Sequence, residues 1–180
     1  IFKKSNGENN AIQLGTGFEK INKCLKGIAN GNLITIAANQ SVGKTTLLCN
    51  WLQSIIRMNH AWLHFSLEMS NGQVLSKIIG IDAHVESEKL QDGTLSKEDM
   101  AKVMESAKFF YKSKLLLNDE CNSISEILNT TLRYIKSHNI AGMSVDYVQL
   151  IQDPDRRGKN RYEELGIISG ELKNYARKNN

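Results

Sequence analysis

Leu33-Ile34-Thr35-Ile36-Ala37-Ala38-Asn39-Gln40-Ser41-Val42-Gly43-Lys44-Thr45-Thr46 is the stretch from which the rest of the chain can be read. Its apolar opening predicts a buried strand over residues 33–37. From Thr45 onward, Leu48, Leu52, Ile55 and Ile56 recur at helical spacing and predict a helix over 45–58. Between the two lies a P-loop pattern, Ala38 to Thr45, with alanine at its first glycine position. Such a loop turns its backbone N–H groups and the positive end of the following helix toward phosphate. Gly43 allows close backbone approach. Lys44 can reach β- and γ-phosphates, and Thr45 offers a hydroxyl to Mg²⁺. The nucleotide-binding residues expected from this stretch are Ala38, Asn39, Gln40, Ser41, Val42, Gly43, Lys44, Thr45 and Thr46.

Outward from the loop, apolar runs alternate with helical patterns. Residues 62–65, 115–117 and 140–146 read as further strands. Residues 72–79 read as a short helix. Ser96 to Asp99 looks like a capped start, and Met100, Val103, Met104, Ala107 and Phe110 follow at helical spacing, which reads the two methionines as core. Ser123 to Glu126 fits a capping box ahead of Ile127, Leu128, Thr131 and Ile135. A last helix covers 162–178. Strands alternating with helices imply a mostly parallel sheet between helix layers, an α/β three-layer sandwich.

A phosphate loop that supports hydrolysis needs a carboxylate on the metal side and a group that positions water. Asp146 closes the strand over 140–146, where the C-terminal edge of a parallel sheet faces a ligand crevice. It is the expected Mg²⁺ partner of Thr45. Glu68, just after the second strand, is the candidate for activating water, although taken alone it reads as a charge at a helix N-terminus facing solvent. Asp119, after the third, is a further carboxylate for the same crevice. Ser144 interrupts an otherwise apolar strand.

Composition narrows the class. The chain has 180 residues, a net charge of +4, 41% hydrophobic residues and one proline, which fits a soluble globular domain and excludes collagen-like and proline-rich classes. No apolar run approaches the length of a membrane span. Three separated cysteines argue against a disulfide framework or zinc ribbon, and a reducing cytoplasm is the expected setting. His60 and His64 flank a strand, where their spacing does not make a helical metal pair. The first dozen residues read as linker. Basic residues gather near both ends, most sharply at Arg156, Arg157, Lys159 and Arg161. By charge alone that run reads as a solvated loop.

Several blocks then fall in a recognisable order. Thr16-Gly17-Phe18 precedes the P-loop. After it come Phe65-Ser66-Leu67-Glu68-Met69-Ser70, Val145-Asp146-Tyr147-Val148-Gln149-Leu150 and a closing block with Asn160-Arg161, Glu164, Ile168-Ser169, Leu172-Lys173 and Ala176. This series resembles the RecA-like ATPase domain of DnaB-type replicative helicases, phage and plasmid members included. The likeness runs from about residue 14 to 180, leaving 1–13 as linker or N-terminal extension.

The resemblance implies a RecA-like P-loop NTPase fold and an ATP- and Mg²⁺-dependent motor for single-stranded DNA. It implies a hexameric ring in the full-length parent, with a helicase loader or primase as possible partners and no membrane. Glu68 matches the catalytic glutamate, Lys44 the P-loop lysine, and Thr45 and Asp146 the magnesium residues. Arg156, Arg157, Lys159 and Arg161 fall where such helicases carry a DNA-facing loop. The resemblance also implies that the domain is partial. A following strand with its γ-phosphate sensor, a further DNA loop and an arginine finger would lie beyond residue 180. The chain departs from the family at Asn39-Gln40, where Arg-Pro is usual, at Ile21-Asn22, and at Gly170, where an arginine is usual. Two other readings remain: a RecA-like recombination, repair or clock-type ATPase, and a non-hydrolysing nucleotide-binding module for ring assembly.

Overall fold

A computed structural model describes residues 18–25, 30–39, 41–152 and 160–179. Three parallel strands form the sheet: β1 (Trp62–Ser66), β2 (Leu115–Asn118) and β3 (Gly142–Asp146), in the order β2-β1-β3. The register pairs Trp62 with both Leu115 and Gly142, and Ser66 with Asp146. β1 is central, so its side chains are buried on both faces. Leu63 and Phe65 point to one helix layer, α6 (Ile124–His138) and α7 (Arg161–Lys178), and pack with Ile127, Ile168 and Leu172. On the other face, Cys49, Leu52 and Ile56 of α2 (Lys44–Arg57) meet Val74 and Ile78 of α3 (Asn71–Ala83) and Phe110 of α5 (Lys97–Tyr111). This is the three-layer α/β arrangement expected from the alternating pattern. Two short helices, α1 (Glu19–Leu25) and α4 (Ser87–Asp92), and a single 3-10 turn at Val148–Leu150 complete the described elements.

Helix starts follow local chemistry. Ser123 and Glu126 form the expected capping box on α6, and Ser96 accepts a hydrogen bond from the Asp99 amide on α5. Ser70 and Gln73 make a second capping box, on α3. Asp119, expected in the crevice, instead accepts hydrogen bonds at 2.8 Å from the backbone N–H and side-chain amide of Asn71, fastening the end of β2 to the start of α3.

Two expectations change. Residues 33–37 form no ladder with the sheet. The segment keeps an extended alternation, with Ile34 and Ile36 against Trp51 and Ile55, but a cavity of about 410 Å³ separates it from the outer edge of β3. Met100 and Met104 are 47% and 64% exposed, because α5 turns Val103, Ser106 and Phe110 inward and leaves the methionine stripe outside. Among the described residues no helix is long and apolar enough to cross a membrane.

Candidate functional site

α2 begins at the C-terminal edge of the sheet, and its entry is shaped by backbone conformation. Gly43 has φ 100°, a left-handed value that strains any residue with a Cβ. Ser41 also takes positive φ, at 62°. No side chain caps α2 and its first turn has no acidic residue. The N–H groups at this end are therefore available to an anion.

Lys44, Thr45 and Asp146, separated by about a hundred residues in sequence, converge here. Thr45 Oγ1 donates to Asp146 Oδ2 at 2.7 Å, and Lys44 Nζ lies 3.3 Å from Asp146 Oδ1. Asp146 is only 5% exposed, and these two groups are the partners of its carboxylate. Lys44 Nζ also lies 3.9 Å from the centroid of the Tyr147 ring. Two oxygen donors beside an ammonium, at an uncapped helix start, suit a hard divalent cation carrying phosphate.

Glu68 is exposed in the turn after β1. That turn is held by Ser66 Oγ donating to Met69 O at 2.6 Å and by Leu67 N donating to Asp146 O at 2.9 Å. The turn carrying Glu68 is thus tied to the strand end carrying Asp146. Ala38, Asn39, Ser41, Val42 and Thr46 are all exposed along the loop and first helical turn. Gln40, Arg156, Arg157 and Lys159 lie outside the described residues. Arg161 opens α7, where its guanidinium pairs with Glu164 and donates to the carbonyls of Gln149 and Ile151.

Sequence reasoning did not find Tyr147 as a neighbour of Lys44, nor the group beneath the loop. Trp62 Nε1 donates to Ser144 Oγ at 3.1 Å, and Ser144 Oγ lies 2.9 Å from His64 Nδ1. Burial lowers the His64 pKa to about 4, and nearby Asp146 only partly opposes this. Burial likewise pushes the Cys49 thiol up to about 11. The one sequence signal for this group was the polar Ser144 in an apolar strand.

Comparison with known proteins shows the family and the fold. Residues 13–180 match the family model of the DnaB-like helicase C-terminal domain. The replicative DNA helicase DnaB of Buchnera aphidicola subsp. Baizongia pistaciae is 33% identical over 168 residues, covering 91% of this chain and 36% of its own length. A probable plasmid replicative DNA helicase of Chlamydia trachomatis is 32% identical over 163 residues, 89% of this chain and 36% of the relative. The chain therefore spans little more than a third of these relatives. Among solved structures, a DnaB-like replicative helicase described with its interactions with primase superposes with a TM-score of 0.85 at 22% identity, covering 96% of this chain and 43% of that one. A second solved structure, described as an ATPase domain, gives 0.84 at 22% identity, covering 96% of this chain and 62% of that one.

Proposed function

We propose, for a chain that belongs to the DnaB-like helicase C-terminal domain family, that it is the nucleotide-hydrolysing part of a replicative DNA helicase. The observation that carries this reading is the meeting of Lys44, Thr45 and Asp146 at the open start of α2. The loop amides and Lys44 hold the β- and γ-phosphates of ATP. Thr45 and Asp146 hold Mg²⁺, which when bound neutralises charge developing on the phosphates. Glu68 orients the attacking water and draws off its proton. An exposed carboxylate can do this once the nucleotide and a neighbouring subunit enclose it.

In the full-length protein the domain works as a hexameric ring on single-stranded DNA in the cytoplasm, with a loader or primase as partner. Arg156, Arg157 and Lys159 contact the DNA backbone, and Arg161 adds its charge from the start of α7. Retention of Lys44, Thr45, Glu68 and Asp146 together favours hydrolysis over a nucleotide-holding module.

The test is ATP hydrolysis by the full-length protein with and without single-stranded DNA. Glu68→Gln should lower kcat by about 10²–10⁴-fold, the usual contribution of a positioned base, with nucleotide affinity little changed. Unchanged turnover would remove Glu68 from the mechanism.

A further inference from the structure

Alternate residues of a strand share a face. Given the parallel register, Trp62, His64 and Ser66 of β1 lie beside Gly142, Ser144 and Asp146 of β3 on the face covered by α2. Along this face runs a chain of hydrogen bonds from Trp62 through Ser144 to His64. An indole N–H can only donate, so Ser144 Oγ accepts from Trp62. Ser144 Oγ keeps a second lone pair and its own proton, so the bond to His64 Nδ1 forms with either neutral imidazole tautomer. His64 is 1% exposed, so no water replaces a lost partner.

The chain also needs Gly142. A Cβ there would lie 2.6 Å from the Trp62 ring, so the bare glycine lets the indole cross β3 toward Ser144. Among the described residues β3 is an edge strand, laddered only to β1. Its end carries Asp146, whose carboxylate must meet both Lys44 and Thr45. Two side-chain hydrogen bonds, made two residues before Asp146, fasten this edge strand from above as well as from the side.

We propose that Trp62, Ser144 and His64 are positioning residues for Asp146: together they hold the β3 end so that its carboxylate faces Thr45, and they thereby set the affinity of the site for Mg²⁺. This rests on the reading of Asp146 as a magnesium residue. The hydrogen bonds of the group run among its own members rather than to Lys44, Thr45 or the Asp146 carboxylate. Its loss acts on the metal step rather than on nucleotide capture by the loop amides and Lys44.

The experiment uses the full-length protein and a fluorescent ATP analogue, titrated with Mg²⁺ at fixed nucleotide, with affinity also measured in EDTA. Ser144→Ala and His64→Phe should each raise the Mg²⁺ half-saturation by roughly 3–10-fold, at or below the low end of losses seen for residues supporting a metal ligand. Affinity in EDTA should stay within about 2-fold, because the loop and Lys44 are intact. Ser144→Thr keeps the hydroxyl and should stay close to the unsubstituted protein. The double variant should be no worse than either single one, since both break the same chain. If Ser144→Ala does not fold, Trp62→Phe removes only the indole donor and carries the same expectation.

Folded variants with unmoved Mg²⁺ half-saturation, or additive effects in the double variant, overturn the positioning role alone. An unsubstituted protein that binds the analogue without Mg²⁺ dependence overturns the reading of Asp146, and this inference with it.

Discussion

His64 shows how placement sets the chemistry of one residue. The central strand buries it, with Nδ1 in hydrogen-bond contact with Ser144 Oγ. Its pKa falls from 6.5 to about 4, with burial the main cause. As pH drops, the unfolded chain takes up this proton before the folded one. The stabilisation is therefore complete above about pH 6.5 and is lost between there and about pH 4. A shift of this size corresponds to roughly 3 kcal/mol. His64→Gln keeps a polar side chain but cannot titrate. Its stability, followed by urea denaturation from pH 7 to 4, should fall less steeply than that of the unsubstituted protein. Parallel curves would show that His64 is not the group responsible. Cys49, nearly as buried, has its thiol pushed to about 11 and stays inert at neutral pH.

At the scale of elements, the meeting of β1 and β3 is fixed by one small residue. Gly142→Ala brings a methyl carbon within 2.6 Å of the Trp62 ring, and the indole must swing away and release Ser144. Overpacking of this kind costs about 1–3 kcal/mol. Lower entropy of the unfolded chain returns about 0.4–1 kcal/mol. A net loss of about 1–2 kcal/mol is expected, read as a lower denaturation midpoint at unchanged slope. A variant as stable as the original would mean that the indole has room to move.

Neither the Trp62–Ser144 bond nor the His64–Ser144 bond was legible in the sequence, because each joins residues about 80 positions apart. Helix starts are different. The capping box at Ser123 and the cap at Ser96 lie within one turn, and both were legible. The same local logic explains why Lys44 and Thr45 could be assigned to a phosphate loop, and why Asp146 could be placed at a strand end. Residues 33–37 mark the limit. Their apolar alternation predicts an extended chain, which is present, but alternation does not name a neighbouring strand, and none pairs with them. On α5, spacing correctly gave a helix but not which stripe faces inward, so Met100 and Met104 were misread as core.

At the scale of the whole molecule, the strand end carrying Asp146 and the basic run lie close in sequence. Asp146 ends β3, a single turn at Val148–Leu150 follows, and Arg161 clasps the carbonyls of Gln149 and Ile151. Arg156, Arg157 and Lys159 fall in sequence between that turn and α7 and lie outside the described residues. If this run binds the DNA backbone, its contribution is counterion release, which does not depend on base sequence. Each lost phosphate contact on a single strand lowers the steepness of log affinity against log salt by about 0.7. Replacing all three residues by alanine should reduce that slope by about 2, weaken binding at low salt, and do so equally on different sequences. Arg161→Ala should behave differently, because its guanidinium is already engaged with Glu164 and two carbonyls. It should loosen the start of α7 and lower thermal stability, with a smaller change in salt slope. Should the triple variant keep both affinity and slope, this run makes no contact with the DNA backbone. Should Arg161→Ala alone reproduce the full loss of slope, the contact comes from the helix start rather than from the segment before it.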